Sequence, residues 1–159
     1  MTNPRLNSPP ILVATCFGVG LLSKAPGTWG SLVALPFAWI LLNWIDNITF
    51  FCVIIVLFFI GLWASASFLI QTNSENKDPK AIVVDEVVGQ WLVLAPFAPD
   101  FITCFLGFLF FRLFDILKPW PIDWVDSNIS GSLGIMLDDI LAAIYSIFCL
   151  ILFLTWKST

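Results

Sequence analysis

The chain has 159 residues, of which 59% are hydrophobic and only 11% charged, with a net charge of −4. A soluble domain carries about 25% charged residues, and one of this length could not bury so much apolar surface. The composition therefore points to an integral membrane protein forming one domain over residues 1–159. The acidic balance argues against nucleic-acid binding. The absence of histidine excludes Ser-His-Asp and Cys-His catalysis, histidine phosphatases and the usual zinc enzymes.

In chain order, the N-terminus carries one arginine and several prolines before Ile11 and no cleavage-site pattern, so the apolar segments are expected to belong to the mature protein. Residues 11–22 are too short to cross a bilayer, which takes about 20 apolar residues. The stretch Ala25-Pro-Gly-Thr-Trp-Gly-Ser31 reads as a Pro/Gly turn delivering the chain into a helix after Ser31. Residues 32–45 form a short span and residues 48–70 a full one. Asp78-Pro79 resembles a helix start, with the aspartate as N-cap and the proline at the first helical position. The helix after it would carry Asp85, Glu86 and Gly89. Residues 82–84 have strand-like composition that a helix explains as well.

Residues 87–98 and 101–111 fit re-entrant, interfacial or paired half-spans. Lys118-Pro-Trp-Pro121 stops the helix before it, with Trp120 and Trp124 suited to a headgroup-level belt. Gly131-Ser-Leu-Gly134 then precedes a last span over residues 133–156. The expected fold is all-α, a compact helical membrane bundle of about four to six segments, some short or re-entrant. Cys16, Cys52, Cys104 and Cys149 each sit in an apolar run and read as buried or lipid-facing thiols.

Thirteen of the eighteen charges fall into two windows, Glu75 to Glu86 and Arg112 to Asp139. Lys77, Lys80, Arg112 and Lys118 would place their loops on the cytoplasmic side. Asp85 and Glu86 are flanked by valines on both sides. Buried there unpaired, two carboxylates would be costly, so they are either a wetted helix surface or a metal or proton site. Arg112, Asp115 and Lys118, spaced by three, share one helical face and form either an interfacial ion pair or a phosphate-binding set. Asp138 and Asp139 lie in the last helix, as dipole partners or as metal ligands.

Carboxylates without histidine or thiolate suit Mg²⁺, which bridges readily to phosphates. Arg112 and Lys118, and Lys24 if its loop folds over the site, would neutralise phosphate charge. This combination fits metal-assisted phosphoryl chemistry at a lipid surface. The runner-up is a small ion- or proton-coupled transporter with buried carboxylates; a third option is a non-catalytic assembly factor with exposed charged loops.

Five pieces in order carry a family resemblance: Gly18-Val-Gly-Leu-Leu-Ser23; Pro26-Gly-Thr-Trp-Gly-Ser31; Asp85-Glu86 with Gly89-Gln-Trp91; Phe111-Arg-Leu-Phe-Asp115-Ile-Leu-Lys-Pro-Trp-Pro-Ile122; and Gly134-Ile-Met-Leu-Asp-Asp139. Over residues 17–142 the chain resembles bacterial phosphatidylglycerophosphatase A. The resemblance implies a Mg²⁺-dependent, multi-pass phosphatase of the bacterial inner membrane. It would convert phosphatidylglycerophosphate to phosphatidylglycerol and phosphate in phospholipid biosynthesis. One departure is Ser132, where the family usually has the second of two glycines; a positive φ there would not suit serine.

Residue reading and resemblance together assign metal ligation to Asp85, Glu86, Asp138 and Asp139, and catalysis to Asp85, Glu86, Asp115 and Asp139. Asp115 is either a further ligand or the partner that orients Arg112. Phosphate binding falls to Arg112, Lys118 and Lys24, with hydrogen bonds from Thr28 and Ser31. Attack by water is the favoured route, an aspartyl-phosphate the other. All of this requires that acids from three separate stretches meet beside one guanidinium.

Overall fold

The structure, a computed structural model, describes residues 8–73 and 79–157. Those residues form seven α-helices: α1 (Pro9–Ala14), α2 (Pro26–Trp44), α3 (Asn47–Thr72), α4 (Val84–Leu94), α5 (Phe101–Leu117), α6 (Ile122–Asn128) and α7 (Ser132–Lys157). A 3₁₀ turn covers Val19–Leu21. The all-α expectation holds, and no strand occurs among the described residues. The count exceeds the four to six expected because the short pieces α1 and α6 close into helical turns of their own.

Two helices, α3 and α7, are long and apolar enough to cross a membrane, and only 33% of the apolar window of each is buried. The rest of their surface is large and hydrophobic, including Ile48, Val56, Phe59 and Phe148. Residues excluded from water only by lipid look like this. α3 starts on Asp46, whose side chain accepts from the Ile48 and Thr49 amides. α5 starts the same way on Asp100, which accepts from the Ile102 and Thr103 amides. An aspartate capping the third residue on satisfies amides that the helix itself leaves open.

Two expected boundaries move. α2 begins at Pro26, not after Ser31: proline has no N–H to lose at a first helical position, so Pro26 to Ser31 are the first turns of the helix. α4 begins at Val84, not at Pro79. The Val83 amide bonds to the Ala14 carbonyl at 2.9 Å, which ties this stretch to the end of α1 and delays the helix. Glu75, Lys77 and Asp78 of the first charged window lie outside the described residues, and so does the Asp78 N-cap. The positive φ near Ser132 falls on Gly131, so the serine occupies an ordinary helical start.

α4 is the central element. It packs against α2, α3, α5 and α7, burying Val84, Val88, Val93 and Leu94. Where no water drives helices together, close approach relies on small residues, and Ala34, Ala38, Ala64, Ala142 and Ala143 are all buried. Trp91 of α4 donates to the Ala34 carbonyl of α2 at 2.9 Å. Chain order makes α2, α4 and α7 run opposite to α3 and α5. The starts of α2 and α4 and the end of α5 therefore collect at one end of the bundle, beside the second turn of α7. A close crossing lies at Gly89: a Cβ there would stand 2.6 Å from the Phe111 ring. Gly89→Ala should therefore destabilise the protein by about 1–3 kcal/mol, read as a lower melting temperature in detergent. An unchanged melt would show that this crossing is slack.

Candidate active site

At the shared end of the bundle lies a pocket of about 360 Å³. Its charged wall is Lys80, Asp85, Glu86, Arg112, Asp115, Lys118, Asp138 and Asp139, joined by Ala25, Pro26, Gly27 and Thr28 from the start of α2. The three sequence stretches do meet beside the guanidinium. Five carboxylates face three cations, an excess of two negative charges when all are ionised.

Asp85, Glu86 and Asp139 form the core, each offering an oxygen within 4.8 Å of the others. Asp85 and Asp139 are buried at 7% and 2% exposure. Glu86 Oε2 and Asp139 Oδ2 are buried oxygens that accept no hydrogen bond. Orphaned acceptors in a buried acidic cluster are costly unless something positive satisfies them. The donors are all hard oxygens, so the group that fits is a divalent cation such as Mg²⁺. Burial first, and then the adjacent Asp85 carboxylate, push the Glu86 carboxyl well above its ordinary range.

Asp138 does not join the trio. It accepts from Lys118 Nζ at 2.7 Å, and the same ammonium pairs with Asp126 at 2.7 Å. Lys118 takes the left-handed conformation at the end of α5, which swings it off the face of Asp115 and towards α6 and α7. Its desolvation works against the charge, but the hydrogen bonds to Asp126 and Asp138 outweigh it and raise its pKa. Tyr145 of α7 donates to the Trp120 carbonyl at 3.0 Å and fastens the same connection.

Arg112 pairs with Asp115 at 2.7 Å and stands 3.9 Å from Glu86. Across the helix seam it donates to Ser31 Oγ at 3.3 Å. Ser31 is thus buried behind the arginine, and Thr28 lines the pocket. Lys24 is exposed and outside the pocket wall, where Lys80 stands instead. Helix α2 opens onto the pocket with no side-chain cap. Its first-turn amides therefore lack intrahelical acceptors and favour an anion. Gly27 permits this approach: a Cβ there would fall 2.0 Å from Glu86 Oε1.

Three residues were not singled out from sequence: Lys80, Gly27 and Gln90. Gln90 lies one turn beyond Glu86 on the same face of α4, fully buried, with neither amide atom hydrogen-bonded. Lys80 was visible as the cation nearest Asp85, and Gly27 and Gln90 sit inside motifs that carried the resemblance.

A helical bundle with an acidic, cation-capable centre beside a carboxylate-paired arginine is the class these features define. Within it, the chain belongs to the phosphatidylglycerophosphatase A family, whose model matches residues 12–154. It is 37% identical over 145 residues to phosphatidylglycerophosphatase A of Escherichia coli K12, covering 89% of this chain and 81% of the relative. It is 38% identical over 146 residues to phosphatidylglycerophosphatase A of Haemophilus influenzae Rd, covering 89% and 86%. A Bacteroides thetaiotaomicron protein, provisionally named a phosphatidylinositol-3-phosphatase, is 37% identical over 156 residues, covering 92% and 94%. No solved structure matches the chain.

The raised Glu86 pKa has a signed consequence. The metal-free native state holds a proton that the unfolded chain releases above glutamate's ordinary 4.5, so stability falls as pH rises from there. Melting in EDTA should drop as the pH rises above glutamate's ordinary range, and Mg²⁺ should restore it by displacing the proton. A melt that is flat with pH, or indifferent to Mg²⁺, would argue against a cation site.

Proposed function

We infer that the protein is a phosphatidylglycerophosphatase. It hydrolyses the terminal phosphate monoester of phosphatidylglycerophosphate and releases phosphatidylglycerol and orthophosphate. The observation that carries this reading is the placing of the Asp85–Glu86–Asp139 cluster and Arg112 in one pocket, in a chain of this family.

Charge favours a cation in the site before the substrate. Fully ionised, the pocket carries two excess negative charges that would repel a phosphate, and a divalent cation held by Asp85, Glu86 and Asp139 would cancel them. A cation held there would neutralise charge on the phosphoryl group and would acidify water for attack. The chain's own residues do the rest. Arg112, aimed by Asp115, offers guanidinium donors to the phosphoryl oxygens. The first-turn amides of α2 and the Thr28 hydroxyl add donors beside it. Lys80 stands at the pocket wall as a further positive charge. Lys118 pairs with both Asp138 and Asp126 and so holds the connection to α6 in place. Asp115 is engaged by Arg112 at 2.7 Å, which supports direct attack by water over an aspartyl-phosphate at this residue.

The protein is a multi-pass component of the bacterial inner membrane with its pocket on the cytoplasmic side. Supporting this, Lys24, Lys80, Arg112 and Lys118 gather at the pocket end, whereas Lys157 ends α7 at the other. Trp120 and Trp124 are exposed near the same level as the pocket.

Purified protein in detergent should release phosphate from phosphatidylglycerophosphate with Mg²⁺ and fall to background in EDTA. Asp139→Asn and Arg112→Lys should each lower kcat about 10²–10³-fold, and rapid quenching should trap no phosphorylated protein. Background release in the presence of Mg²⁺ would overturn the phosphatase reading in favour of a transporter. Label lost only in Asp85→Asn or Asp115→Asn would replace direct attack with a covalent route.

A further inference from the structure

Immediately beyond the pocket, the seam between α2 and α5 changes character. Ser31 and Arg112 bridge the two helices at the pocket edge. One residue further along α2 a groove of about 620 Å³ opens, with a wholly apolar wall. Leu32, Leu35, Pro36 and Trp39 line it from α2, and Phe101 and Phe105 from α5. Trp39, Phe101 and Phe105 are among the exposed large hydrophobics, so the groove is open along its length.

We propose that this groove binds an acyl chain of the lipid whose phosphate enters the pocket. The inference rests on the phosphatase reading above. Three observations carry it. The first is continuity: polar pocket and apolar groove are consecutive stretches of one helix seam, joined at Ser31 and Arg112. The second is direction and length. Leu32 to Ile40 is eight residues, about 12 Å along α2, and Phe105 lies seven residues, about 10 Å, before Arg112 on the antiparallel helix. The groove thus runs from the pocket end inward over roughly the depth of one leaflet, half of a hydrocarbon core of about 30 Å. The third is contrast. Another apolar cavity, of about 370 Å³ between Asn47, Phe51, Leu92 and Pro96, lies where α3 begins and α4 ends, away from the pocket. A lipid phosphate presents a phosphate monoester and an apolar chain on a single molecule, which is what this arrangement takes.

The test compares phosphatidylglycerophosphate bearing long acyl chains with the same headgroup on six-carbon chains. Leu35→Trp fills the middle of the groove. It should lower the long-to-short ratio of kcat/KM at least about tenfold, the equivalent of displacing two buried methylenes. Val56→Trp, on the lipid-facing side of α3, should leave that ratio unchanged. An equal loss on both substrates in Leu35→Trp, or the same shift in Val56→Trp, would overturn the proposal.

Photolabelling of the wild-type protein removes any dependence on how the variant folds. A long-chain substrate with a diazirine midway along one chain should label the peptides containing Trp39 and Phe105. Label spread over α3 and α7 would mean annular lipid only and would overturn the groove. Labelling needs no turnover, so the two readings fail separately. Label in the groove without phosphate release refutes the phosphatase and keeps the acyl site; release with scattered label does the reverse.

Discussion

Five carboxylates share one end of a bundle whose interior has almost nothing to solvate them. That electrostatic debt organises the rest of the structure. Lys118 meets part of it by holding Asp138 and Asp126 together, and Arg112 meets part by holding Asp115. At the centre stands the trio Asp85, Glu86 and Asp139, with buried oxygens on Glu86 and Asp139 that accept no hydrogen bond. Such orphaned oxygens are stable only in a protonated site or in a ligand set. Both possibilities follow from the same burial, and the second is the one the proposed phosphatase chemistry uses.

The bundle places these groups by using helix ends. α2 and α4 begin at the pocket, and α5 finishes there. α7 contributes its acids from the second turn, supported by the α6 connection through Tyr145 and Lys118. Polar groups thus enter where the backbone already has unsatisfied amides and carbonyls, while the middles of α3 and α7 stay apolar for lipid. The contact between Gly27 and Glu86 sets how closely α2 can approach the acids. The hydrogen bond between Arg112 and Ser31 then fixes where the polar seam ends and the apolar one begins.

Much of this was legible in the residues. Uninterrupted apolar runs marked α3 and α7 to within a few positions, and clustered charge marked the pocket. The motif around Arg112 and Asp115 predicted a shared helical face, and that pair does form. The errors came where tertiary contacts outweigh local signals. Pro26-Gly27 has turn composition, yet it opens a helix because that helix packs its first turn on Glu86. Pro79 looks like a helix start, but the Val83 amide is claimed by Ala14 from a distant stretch. Lys118 seemed to belong with Asp115 by spacing, and one left-handed residue redirected it. Gln90 carries no periodic or charge signal, so its burial beneath Glu86 could be seen only in three dimensions.

The acids of the pocket floor are buried, with Asp85, Asp138 and Asp139 at 7%, 5% and 2% exposure. Asp139 lies seven residues beyond the first residue of α7, about 10 Å along the helix axis. The cleft therefore acts as a depth gauge. A phosphate borne on the broad surface of a folded partner or along a nucleic-acid backbone cannot be lowered that far, whereas one on a slender, flexible stalk can.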